Sequence, residues 1–167
     1  MHRVEHSLHC DLFSRLSFGE NLNQRLFLNG ELMQLIHKEW PEFRPRPDKN
    51  NRRGNFDLVI LSPNSLKESN IWDFINGRIE APIVIEMGLN YTINHLEQDL
   101  LKLNNSNIYR GYLIHLARKE FIDSFEDIEY LLLDIENKYK NIKTAYANIE
   151  NDCIKYKLLN SNKILKK

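Results

Sequence analysis

Asp57 and Glu86 are the residues whose setting most needs a chemical explanation. Each is the single acid in an otherwise apolar run, Asp57 in NFDLVILS (55–62) and Glu86 in APIVIEMGL (81–89). An unpartnered carboxylate is strongly disfavoured inside such a strand, so something must compensate it. Period-two alternation puts Asp57, Val59 and Leu61 on one face of the first strand, and Val84, Glu86 and Gly88 on one face of the second. If the strands pair, the two carboxylates converge at one end of a sheet. They then repel, and a divalent cation that prefers oxygen ligands, Mg²⁺ or Mn²⁺, is the natural compensation. Such an ion can activate a water and neutralise charge on a phosphodiester. The plainer reading gives Asp57 a turn to cap after Gly54 and Glu86 an arginine partner. Two acids in neighbouring strands this apolar favour the site.

The elements that must position these acids follow from periodicity and from breakers. Leu22, Leu26, Met33, Ile36 and Trp40 predict a helix of about twenty residues that ends at Pro41, with Gly30 as a break inside it. The segment 42–54, EFRPRPDKNNRRG, holds two prolines and four arginines and predicts a loop or an irregular edge strand. After the two acid-bearing strands comes a helix over 91–103, with Leu96, Leu100 and Leu103 as its apolar stripe. Asn90 is placed to cap that helix. A third strand covers 109–117, and a further helix covers 124–138. From 139 to 159 a helical spacing of Tyr139, Ile142, Tyr146 and Ile149 competes with two β-rich runs around Asn151-Asp152. The hairpin is the preferred reading. This order predicts an α/β sandwich with a mixed sheet, one domain over 1–167, with a C-terminal helix and hairpin over 122–160.

Composition narrows the function classes. Lys plus Arg (23) balances Asp plus Glu (23), so any nucleic-acid contact must come from a local patch. Cys10 and Cys153 have no CxxC or Cys/His spacing, which argues against a zinc site or a disulfide framework. No apolar run approaches the roughly 18 residues of a bilayer span, and the N-terminus lacks a signal-peptide core. A cytoplasmic protein without a membrane partner is expected. Motifs for nucleotide hydrolysis, dinucleotide binding and α/β-hydrolase chemistry are missing. His2, His6 and His9 fall at helical spacing and can bind metal adventitiously.

FDLVIL with Asp57, followed by IVIEMG with Glu86, resembles the D…(D/E)XK half-motifs of the PD-(D/E)XK nuclease superfamily. The following helix with HLEQDLLKL and the strand RGYLIHLA match that family's order, and the resemblance covers roughly residues 20–118. It implies a restriction-endonuclease-like core, a central mixed β-sheet flanked by helices. It also implies a metal-dependent DNA endonuclease of the restriction or defence type. Asp57, Glu86 and the Met87 carbonyl would hold Mg²⁺ or Mn²⁺, and a helix glutamate before the first motif strand would be Glu31 or Glu39. One position departs from the pattern: the family's lysine should stand at 88, where this chain has Gly88. Lys102, in a stripe with His95 and Asp99 on the following helix, is the candidate replacement, reaching into the gap that glycine leaves.

Arg44, Arg46, Arg52 and Arg53 precede the first acidic strand and are candidate phosphate contacts, with His95 a weaker one. The same segment also reads as a solvated loop. Lys163, Lys166 and Lys167 form a small basic tail. Cutting both strands of DNA would call for a homodimer. Gly88 keeps a second reading open, an inactive nuclease-like module that binds DNA or protein. A third is an oligomerisation protein built on one helix over 125–149.

Overall fold

The apolar runs around Asp57 and Glu86 form strands, and the strands are neighbours. A computed structural model describes residues 5–106, 108–118, 125–150 and 153–158. His2, the Asn151-Asp152 turn and the three C-terminal lysines lie outside the described residues. The chain runs α1 (Glu5–Ser17), β1 (Arg25–Leu28), β2 (Glu31–Gln34), β3 (Ile36–Pro41), a 3-10 turn (Pro47–Lys49), β4 (Asn55–Ile60), α2 (Pro63–Glu68) and α3 (Ile71–Ile75). It continues through β5 (Ile83–Leu89), α4 (Ile93–Asn104), β6 (Arg110–Arg118), α5 (Phe125–Lys138), β7 (Ile142–Glu150) and β8 (Cys153–Leu158).

Six strands form one mixed sheet in the order β3-β4-β5-β6-β7-β8. β3, β4 and β5 pair antiparallel, β5-β6 and β6-β7 pair parallel, and β8 returns antiparallel on β7. The parallel pairs are linked through α4 and α5, as parallel strands require a crossover. Helices flank the sheet, so the architecture is α/β. One face is covered by α1, whose Leu8, Leu12, Phe13 and Leu16 pack on Leu58, Ile85 and Met87. The other carries the main core, where Leu96, Leu103, Ile128, Leu132 and Ile135 meet Val84, Leu113 and Ile142. No helix among the described residues is long and apolar enough to cross a membrane.

Two expectations fail for local reasons. The helix expected up to Trp40 is a β1-β2 hairpin followed by β3. Asn29 and Gly30 both have positive φ (49° and 89°), which makes a tight turn between Leu28 and Glu31 and forbids a helix there. The helical spacing of Leu22, Leu26, Met33, Ile36 and Trp40 was coincidental. The long helix over 125–149 also fails, because α5 ends at Lys138 and β7 starts at Ile142. The oligomerisation reading loses its basis with it.

Candidate active site

The site forms where β4 leaves β5. Their ladder runs Ile60↔Ile83, Val59↔Val84 and Leu58↔Ile85 and then stops. On its other edge β5 stays paired with β6 as far as Leu89. Met87 therefore lacks a strand partner on the β4 side, and two side chains replace it. The Met87 N–H donates to Asp57 Oδ2 at 2.7 Å, and the Met87 carbonyl accepts from His9 Nε2 at 3.3 Å. Asp57 is thus held by a backbone donor, not by a turn after Gly54.

Glu86 lies fully buried on the α4 side of β5. Its Oε2 accepts from Lys102 Nζ at 2.7 Å, and Lys102 Nζ also meets Asp99 Oδ1 at 2.8 Å. The stripe of α4 splits accordingly. Asp99 is buried against the sheet, whereas His95 is exposed, beside Thr92 and the Tyr91 ring. Burial, reinforced by the charge of Asp57, pushes Glu86 well above the usual carboxylate range, and Lys102 opposes this. Burial also raises Asp57 and Asp99. For Lys102, burial disfavours the charge, but Glu86 and Asp99 more than restore it and its proton is held more tightly than usual. Two carboxylates share one ammonium. Among the described residues, Glu86 Oε1 and Asp99 Oδ2 have no hydrogen-bond partner although both are buried. Acceptors in excess of donors are what a divalent cation would satisfy.

From the other face α1 contributes two residues that the sequence reading had not brought to the site. His9 Nε2 is ringed by oxygens: Met87 O at 3.3 Å, Glu5 Oε1 at 3.5 Å and Asp57 Oδ2 at 3.6 Å. Acceptors on three sides assign the proton to Nε2 in the absence of a metal. Burial works against a charged His9, yet the bond to Glu5, the charge of Asp57 and the Met87 carbonyl together raise its pKa. Glu5 shows the converse: burial raises it, but the bonds from His9 and Tyr91 bring it below its usual value. Glu5, His9 and Asp57 each offer a ligand atom, all within 4.8 Å of one another, so this cluster could hold a metal ion. The signal for it was present, since Glu5 and His9 are four apart on a helix whose Leu8, Leu12 and Leu16 define the buried side.

Gly88 does not leave a gap for Lys102. A Cβ at 88 would lie 2.4 Å from Tyr91 Cδ2, so the tyrosine ring fills that place. Burial and the bond that the Tyr91 hydroxyl donates to Glu5 Oε1 raise the tyrosine pKa. Tyr91 therefore ties α1 to the loop after β5. From α4, Lys102 reaches Glu86, two residues before the glycine. Asn90 does not cap α4: its Oδ1 accepts from the Arg118 N–H at 2.8 Å, and Thr92 holds the cap position.

The two glutamates expected to assist are placed differently. Glu31 is exposed on β2, outside the six-stranded sheet. Glu39 sits opposite Asp57 in register, between the pairs Lys38↔Leu58 and Trp40↔Phe56. Its φ of 52° interrupts the ladder there, and the residue is exposed. Like charges directly opposite on paired strands repel, and the irregular backbone keeps Glu39 out of that arrangement.

The four arginines divide into two kinds. Arg46 is buried, donating to Gln98 O (3.1 Å) and Oε1 (3.2 Å) on α4 and pairing with Asp48 at 3.0 Å. Arg53 donates to the carbonyls of Glu42, Asn76 and Gly77. Arg44 and Arg52 are exposed.

Comparison with family models, with curated proteins and with solved structures finds no match. The site therefore has to be read from its own geometry.

Proposed function

We propose that this chain is a metal-dependent phosphodiesterase acting on DNA, with a restriction-endonuclease-like core. The observation that carries the reading is Lys102 Nζ, 2.7 Å from Glu86 Oε2, one strand away from Asp57. It supplies an acid pair and an adjacent ammonium despite the glycine at 88. The donors suit Mg²⁺ or Mn²⁺: Glu5, His9 and Asp57 offer ligand atoms within 4.8 Å of one another, and the PD-(D/E)XK resemblance adds Glu86 and the Met87 carbonyl as further ligands. When bound, such an ion supplies an activated water and neutralises charge on the phosphoryl group. The chain's own residues do the remaining work. Met87 N–H fixes the Asp57 carboxylate, so its oxygens are pre-aimed. Lys102 keeps its proton between Glu86 and Asp99 and places positive charge beside the acids, the electrostatic role that the PD-(D/E)XK resemblance gives to a strand lysine.

The decisive experiment measures cleavage of single- and double-stranded DNA with and without Mg²⁺ or Mn²⁺, comparing wild type with Glu86→Ala. Metal-dependent cutting that the variant loses supports the reading, and a folded wild type that cuts neither substrate overturns it. One observation favours a second reading, an inactive binding module: the Tyr91 ring occupies the place over Gly88 where the family's lysine would stand.

A further inference from the structure

The segment 42–54 is a built loop. Glu42 N–H bonds Gly54 O at 2.8 Å, and Arg46 N–H bonds Arg52 O at 3.0 Å, so the two arms are zipped together. Asn50 and Asn51, both at positive φ, turn the chain between them. Inside the loop the Glu42 carboxylate, fully buried, faces Arg46 Nε at 3.8 Å and lies over Gly54, where any Cβ would meet it at 2.1 Å. Arg46 then fastens the loop to α4 at Gln98, the residue before Asp99, and Arg53 fastens it to the end of α3. The loop is therefore anchored next to the Lys102-Asp99-Glu86 group.

Anchoring uses two arginines and leaves two. Among the described residues Arg44 and Arg52 form no ion pair or hydrogen bond through their side chains, and both are exposed. The segment carries five basic residues (Arg44, Arg46, Lys49, Arg52, Arg53) and two acidic ones (Glu42, Asp48), in a chain whose net charge is zero. Both acids face Arg46. The remaining cations make a local positive patch on a chain with no bulk attraction for polyanions. A guanidinium with no partner on a fixed backbone suits a phosphate oxygen, because its planar fork can donate two bonds at once and the loop backbone is already ordered, leaving only side-chain rotamer freedom to be lost on binding.

We propose that this loop is a contact surface for the phosphodiester backbone of a nucleic acid, with Arg44 and Arg52 as the binding guanidiniums and Arg46 and Arg53 as its scaffold. The inference rests on the phosphodiesterase reading for its substrate class, and it names where the strand lies relative to the acids. Contacts of this kind position the backbone and carry no sequence preference of their own.

The test is the fluorescence anisotropy of a labelled mixed-sequence DNA duplex in EDTA, where no metal-dependent cutting can occur. Affinity is measured for wild type, for Arg44→Ala/Arg52→Ala, and for a control, Arg25→Ala/Lys67→Ala, which removes the same charge from β1 and α2. The loop variant should lose about tenfold or more in affinity, and its dependence of log affinity on log salt should flatten by about two. The control should follow wild type. No binding by wild type overturns the proposal, as does an equal loss in both double variants. Hydrolysis of bis(4-nitrophenyl) phosphate by wild type with Mn²⁺ is scored separately. Binding through Arg44 and Arg52 without any hydrolysis would remove the enzymatic reading and leave this one standing.

Discussion

Lys102 approaches Glu86 from the helix that follows the strand, and the two form a 2.7 Å ion pair in which the carboxylate is fully buried and the ammonium nearly so. A pair of this kind contributes little net stability, because desolvation of both charges offsets their attraction. Its value lies in holding positive charge where the acids gather. On the proposed phosphodiesterase reading, Lys102→Met should therefore cut metal-dependent DNA cleavage by about 10²–10³-fold, the scale of losing one electrostatic contact at a reacting centre. The stability cost should be modest near pH 5, because Glu86, already raised above its usual value, can take up a proton. A raised carboxylate contributes stability below its unfolded value of 4.5 and loses it as pH rises through the folded value. Urea unfolding should thus find the variant progressively weaker than wild type from pH 5 to pH 8. A constant difference across that range would refute the assignment.

Gly88 yields a steric prediction. With a Cβ set to fall 2.4 Å from the Tyr91 ring, Gly88→Ala must displace the ring and should cost about 1–3 kcal/mol, the usual scale of overpacking. Gly88→Lys, which recreates the family pattern in sequence, should be worse and should not rescue Lys102→Met. Thermal melts of both variants check the first statement, and cleavage assays of the double variant check the second. Rescue by Gly88→Lys would mean that Tyr91 moves aside freely.

The Glu5, His9 and Asp57 cluster predicts a response to metal that does not depend on catalysis. Saturating Mn²⁺ should raise the melting temperature, by an amount equivalent to about 2.7 kcal/mol at a hundredfold excess over the dissociation constant, and EDTA should reverse it. Asp57→Asn and His9→Ala should each lose most of the shift. His9 holds its proton more tightly than free imidazole, so proton and metal compete, and the shift should shrink as pH falls through the histidine range. A shift equal in wild type and His9→Ala would exclude the imidazole as a ligand.

Much of this arrangement was legible from Asn55 onward, where β4, β5 and β6 are short apolar runs and α4 and α5 each have one clear stripe; α2 and α3 lie in a polar stretch where no element was expected. Asp57 and Glu86 stood out because apolar strands exclude unpaired acids, and Lys102 could be reached by helical spacing. The N-terminal third was less legible. Leu22 to Trp40 matched a helical period by chance, and Asn29-Gly30, a strong hairpin signal, was read only as a break in a helix at Gly30. His9 had been grouped with His2 and His6, when its informative neighbour was Glu5. The arginines show a different limit. Residue types could put four guanidiniums in one loop, but only packing separates Arg46 and Arg53, which build it, from Arg44 and Arg52, which face solvent.

His115 supplies the last prediction, and it concerns the fold alone. The side chain is buried beside Gly88 in register, its ring stacked on Tyr146 at 5.8 Å and 6°. Neither ring nitrogen has a hydrogen-bond partner among the described residues, and burial pushes its pKa down to about 4 from 6.5. A histidine depressed in the folded state is neutral there and charges more readily when unfolded. Its contribution is complete above pH 6.5 and is lost as pH falls toward 4, a change on the order of 3 kcal/mol for a shift of this size. His115→Phe preserves the stacked ring and removes the proton site. Unfolding free energies at pH 7.5 and pH 4.5 should therefore differ less in the variant than in wild type, whatever constant packing cost the larger ring adds. The raised carboxylates Asp57, Glu86 and Asp99 push stability the opposite way over the same interval, but they are common to both proteins and cancel in the comparison. An unchanged pH dependence in His115→Phe would mean that the buried imidazole already finds a partner for its proton.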